Sequence, residues 1–330
     1  MKVPKRINEA LNKKQEFIDL HRDRLEKTII KLQVDLYDKM LSGIYSELDI
    51  KDGKILDTTH NYQILADIDV IYKNFTSVSS KLISYQIASV TGGLILKGKS
   101  YFTLILNENL SSRFDKIVEA TANKMNARIG LKNGEMVKGG FIESLLKDQT
   151  LATQIKNYVS KAVTGQIDSK DFIKGLSDLI TGVPKEVLKD GVKTLEKTGA
   201  LEKQYQRYAY DLYQQYDRVY NNSLADEFGM NYFLYQGGLI EDSRDFCVAH
   251  NNKVWTREEA ADWDTWKPYM GTYPEGYEIK QKNIYDIPSY LSIAGYQPLV
   301  DFGGPRCRHG IGWIPDELAF ELRPELKGSD

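Results

Sequence analysis

Proline is nearly missing from the first 236 residues: of nine in the chain, only Pro4 and Pro184 fall there. So long a stretch without the strongest helix breaker excludes a turn-rich architecture for that part and favours helices. Cysteine is scarcer still, with two in 330 residues. That number excludes a multi-bridge disulfide framework and fits a reducing compartment. No run approaches the roughly 18 apolar residues of a membrane span. Basic residues near Met1 have no apolar stretch behind them, so no secretory signal is expected. Net charge is also small, −2, which removes any whole-chain electrostatic reason to bind DNA or anionic lipid.

The charge that is present is unevenly placed. Residues 241–330 hold 10 Lys and Arg against 16 Asp and Glu, a balance of −6 that leaves +4 on residues 1–240. Any DNA contact is therefore expected to be weak, non-specific and confined to residues 1–240. Composition shifts at the same place. All four tryptophans, both cysteines and seven prolines follow Gly237-Gly238. The expected fold class is mainly α, with a long helical body over residues 1–236 and a small hairpin within it. A compact α+β C-terminal module over residues 237–330 follows.

Within the body, Leu11, Ile18, Leu25 and Leu32 recur every seven residues, joined by Ile29 and Leu36. This predicts one helix over about Lys5 to Ser46 with an apolar seam for another helix, in the chain or on a partner. Two apolar runs about Lys97-Gly98-Lys99 predict the hairpin at about residues 90–106. Tyr205, Tyr208, Leu212, Tyr216, Val219 and Leu224 fall at mostly helical spacing and predict an aromatic core stripe.

Two motifs carry possible chemistry. Gly93-Leu-Ile-Leu-Lys-Gly98-Lys99-Ser100 satisfies the phosphate-loop string. Its variable residues favour a strand over an anion-cradling turn, and no alternating βα pattern surrounds it, so no nucleotide is expected. Cys247-x2-His250 and Cys307-x-His309 contain both cysteines and half the histidines. Thiolate and imidazole are preferred zinc ligands, and two such pairs can complete a tetrahedron. Unmetallated core packing, or a nucleophile with its base, would use the same residues.

The stretch from Tyr235 through Asp242, Arg244, Cys247 and His250 to Lys253-Val-Trp255 resembles the opening of the C-terminal domain in phage Mu F-like head-morphogenesis proteins. Gly303-Gly304-Pro305-Arg306-Cys307-Arg308-His309 resembles that family's terminal Cys-Arg-Cys or Cys-Arg-His. Many members carry a second cysteine where His250 stands, and a histidine where this chain has Gly-Gly-Pro. The resemblance implies a non-enzymatic minor head protein, located in the virion head after assembly in the host cytoplasm. Portal and capsid proteins would be its partners, with a structural zinc as the possible cofactor and no membrane contact. Asp242, Arg244 and Arg308 are expected to act structurally, the arginines pairing with Asp242, Asp245 or Asp301. About twenty residues follow His309, too few for a further domain. The alternatives are a zinc-stapled HNH-like nuclease and a helical cytoplasmic adaptor.

Overall fold

The computed structural model describes residues 3–106, 112–133, 135–138, 143, 149–184, 195–208, 211–241, 243–263, 273, 276–278, 297–304 and 306–328. The chain starts with α1 (Lys5–Ile44), the pair β1 (Ile50–Lys51) and β2 (Lys54–Ile55), and the long α2 (Thr59–Leu106). Next come α3 (Ser112–Ile129), β3 (Leu131–Lys132), β4 (Glu135–Met136), α4 (Thr150–Thr164) and α5 (Ser169–Ile180). Then follow β5 (Gly182–Pro184), β6 (Leu195–Thr198), α6 (Ala200–Tyr208) and α7 (Leu212–Glu227). The C-terminal part holds β7 (Tyr232–Gln236), α8 (Asp245–His250), β8 (Lys253–Thr256), α9 (Arg257–Ala261), α10 (Pro298–Asp301), β9 (Gly310–Ile314) and α11 (Asp316–Leu322). A mainly α chain with a compact α+β C-terminal part is what the composition implied.

Two compact units share these elements: Met1–Leu20, Ser89–Asn126 and Asp211–Asp330 form one, His21–Ala88 and Ala127–Tyr210 the other. In the second, Leu36, Met40, Ile44, Ile64, Ile68 and Tyr72 meet Ile155, Val159, Phe172 and Leu176 in one buried cluster. Asp52 and Gly53, at φ 51° and 78°, turn β1 into β2. An Asp-Gly pair supplies the left-handed backbone that such a two-residue turn demands.

The first unit is built on a three-stranded antiparallel sheet in the order β8-β7-β9. Phe233 of β7 pairs with Trp255 and Trp313, and Tyr235 with Lys253 and Ile311. This sheet begins at Tyr232, ahead of the expected boundary at 237. Both outer strands are guarded: Tyr101 Oη donates to Trp313 O at 2.8 Å, and Arg323 Nη1 donates to Val254 O at 3.0 Å. The start of α1 is tied to α7 by a buried ion pair, Lys14 Nζ to Asp217 Oδ2 at 2.9 Å. Asn221 Nδ2 holds the other Asp217 oxygen at 2.8 Å.

One expectation is corrected. Residues 90–106 are not a hairpin but the last third of α2. Val90, Leu94, Gly98, Tyr101, Phe102 and Ile105 are all buried, and their spacing of mostly three and four suits one helix face. Packing on that face overrides the local β preference of Val90, Ile95, Tyr101, Phe102, Thr103 and Ile105. The phosphate-loop string accordingly lies within a helix and forms no loop. The seam of α1 is filled from within the chain: Leu11, Ile18, Leu25, Ile29 and Leu36 are buried and Leu32 packs on the second unit's core. This is the in-chain packing that the seam left open as one of its two uses.

The glycines of α2 mark close approaches. A Cβ on Gly98 would stand 2.6 Å from Tyr220 Cε1, whereas one on Gly92 meets nothing within 4 Å. Tyr220 is fully buried and cannot swing aside. Gly98→Ala is expected to destabilise by about 1–3 kcal/mol through overpacking. Gly92→Ala should instead stabilise by up to about 1 kcal/mol, from helix propensity alone. Urea unfolding of the two variants checks the contrast; equal effects would contradict it.

Candidate metal centre

Backbone geometry brings the two Cys-His motifs to the end of the sheet. Cys247 lies on α8, which starts where Arg244 leaves extended backbone at φ −66°, ψ 149°. The returning segment reverses at Phe302, Gly304 and Arg306, with φ of 48°, 94° and 63°, and then extends into β9. In extended chain alternate residues share a side. Cys307 and His309 are accordingly buried while Arg308 between them is exposed.

Three of the four expected ligands meet. One ligand atom each from Cys247, Cys307 and His309 lies within 4.8 Å of the other two, and all three residues are buried. Both cysteines are free thiols. Their sulfurs are 3.7 Å apart, and His309 Nδ1 is 3.9 Å from Cys307 Sγ. Two thiolates bound to one tetrahedral ion at zinc–sulfur distances would stand about 3.8 Å apart, so the sulfurs are already spaced for a shared metal. His309 Nε2 is buried and has no hydrogen-bond partner among the described residues. Two glycines let the cluster close. A Cβ on Gly303 would fall 2.8 Å from Cys247 Sγ, and one on Gly237 2.6 Å from His309 Cδ2.

The cluster could hold a metal. No family model, curated protein or solved structure matches the chain. A hydrogen bond from Cys247, with His309 and the Arg218 guanidinium beside it, pulls the Cys307 thiol well below its ordinary range. The same shared bond, with burial, pushes Cys247 well up. One of the two sulfurs is thus ready to lose its proton to a metal before the other.

His250 is the expected ligand that stands apart. Its Nδ1 lies 2.6 Å from the carbonyl of Phe246, one helical turn back. Its ring stacks on Phe246 at 4.0 Å and packs against Trp255 and Trp263. A spacing of three residues on α8 could not show this, because the ring's direction is set by the aromatic core around it. Tyr235 takes the nearer place: its hydroxyl is 3.6 Å from each sulfur. Of the expected structural residues, Arg244 donates to the Gly303 carbonyl at 2.7 Å, Arg308 is exposed, and Asp242 lies outside the described residues.

Sequence reasoning missed Arg218. It is 3% exposed and donates to three carbonyls: Val300 and His309 at 2.7 Å, Cys307 at 2.6 Å. Its guanidinium also lies over the Phe302 ring, 4.1 Å from the centroid. Arg218→Met would leave the carbonyls of Val300 and Cys307 buried without this donor, at about 1–3 kcal/mol each, while Gln214 still donates to that of His309. A loss of at least about 2 kcal/mol in urea unfolding is expected. Arg218→Lys should recover only part of it, because an ammonium lacks the planar fork.

Burial also lowers His250 to a pKa of about 3. A histidine depressed in the folded state contributes stability that is complete above its unfolded value, about 6.5, and is lost as pH falls towards the folded one. Integrated over that window, His250 should cost about 2 kcal/mol between pH 8 and pH 5. His250→Phe should remove this part of the acid dependence. An unchanged slope would contradict it.

Proposed function

We propose that this chain is a non-catalytic minor head protein of a tailed bacteriophage, with a zinc ion on Cys247, Cys307 and His309 closing its C-terminal module. One observation carries the reading. Cys247 and Cys307 stand 60 residues apart, each in one of the two motifs that resemble the head-morphogenesis family, yet their sulfurs are 3.7 Å apart in the core. Two thiolates and an imidazole suit zinc, and closing so long a loop is the contribution a structural ion makes best.

Burial supports a structural role over a nuclease. An HNH-like enzyme needs a histidine base that reaches solvent and substrate beside its catalytic metal. His250 is 0% exposed and His309 3%. A nucleophilic cysteine needs access as well, and both sulfurs are covered. The portal and capsid partners meet some surface other than the α1 seam. The net charge of +4 on residues 1–240 supports no more than weak contact with packaged DNA.

The test is mass spectrometry of purified, DNA-filled heads from cells expressing the chain with its neighbouring portal gene. The chain should co-purify in few copies per head, and the double variant Cys247→Ser/Cys307→Ser should be lost from them. Heads without the chain, or heads with undiminished double variant, would contradict the proposal.

A further inference from the structure

Cys247, Cys307 and His309 leave a tetrahedral ion one ligand short. We infer that Tyr235 completes the centre, its phenolic oxygen acting as the fourth donor. The inference rests on the metal-holding reading of the cluster.

Tyr235 Oη lies 3.6 Å from Cys247 Sγ and 3.6 Å from Cys307 Sγ, and the sulfurs are 3.7 Å from each other. Ligand bonds of zinc length set tetrahedral donor–donor edges at about 3.3–3.8 Å. The three atoms already form one face of such a tetrahedron. His309 Nδ1, 3.9 Å from Cys307 Sγ, stands off that face. The Tyr235 and His309 rings stack 10° from parallel with centroids 5.1 Å apart.

The hydroxyl is otherwise poorly served. A buried tyrosine normally finds an oxygen or nitrogen partner for its O–H. Tyr235 is 0% exposed, and its hydroxyl meets only the two sulfurs among the described residues. Sulfur is a weak acceptor. The ring cannot turn to seek another partner, because it is edged by Phe246, Trp263 and Phe302 on the central strand of the sheet. Coordination would satisfy the oxygen where it stands. Arg218, bonded to the carbonyls of Cys307 and His309, places positive charge beside a centre that gathers several anionic ligands. His250, the rival fourth ligand, is turned onto Phe246.

The experiment uses the full chain loaded with Zn²⁺, with its crystal structure taken at the zinc edge. Chelator competition then compares wild type, Tyr235→Phe and His250→Phe. The phenolic oxygen should lie within about 2.2 Å of the ion. Tyr235→Phe should bind at least about tenfold more weakly, while His250→Phe binds as wild type does. An ion bound with Tyr235 Oη beyond about 3 Å, an unweakened Tyr235→Phe, or a weakening confined to His250→Phe would each overturn the assignment. All three outcomes would leave the metal itself in place. A wild-type chain that binds no zinc would overturn this inference and the metal reading together.

Discussion

A guanidinium with almost no access to water is costly to bury without acceptors, and Arg218 finds them in the main chain of the returning segment. Its nitrogens hold the carbonyls of Val300, Cys307 and His309. Each bond to a charged donor is worth about 1.5–3 kcal/mol, and the desolvation of the charge demands that all be made. This one side chain therefore fixes where Val300, Cys307 and His309 lie against α7. The placement of Cys307 and His309 beside Cys247 follows from it. Gln214, one turn earlier on α7, adds a bond to the His309 carbonyl at 3.0 Å. The centre is thus positioned by the backbone before any ligand chemistry begins.

The sheet depends on the same placement. β9 pairs with β7 from Tyr232 to Gln236, and β9 begins directly after His309. A returning segment held elsewhere would shift the register, and a shift of one residue would turn Trp313 away from Phe233. The aromatic core of Phe233, Tyr235, Trp263 and Trp313 therefore depends on the same closure.

Much of this was legible in the sequence. Apolar spacing revealed α1 almost to its last residue, and the proline distribution revealed the helical body. Cys247, Cys307 and His309 stood out by rarity. What failed did so for identifiable reasons. The run at residues 90–106 is rich in strand-forming residues, but its fate was decided by contacts such as Gly98 on Tyr220, 122 positions away in the chain. The hairpin at β1 and β2 was signalled by Asp52-Gly53 and is carried by only four paired residues, as is the β3–β4 pair. Arg218 and Tyr235 sit in aromatic runs that look like ordinary core, and only the returning segment gives them their roles. His250 had the right chemistry and the wrong direction, which spacing alone does not encode.

Amide hydrogen exchange of the full chain before and after chelation tests whether a metal closes the C-terminal segment onto the sheet. With zinc bound, the amides of Phe233 to Tyr235 and of Ile311 to Trp313 should exchange slowly. After chelation they should lose protection together, while α4 and α5 of the other unit keep theirs. Strand amides that are equally protected with and without metal would contradict the account.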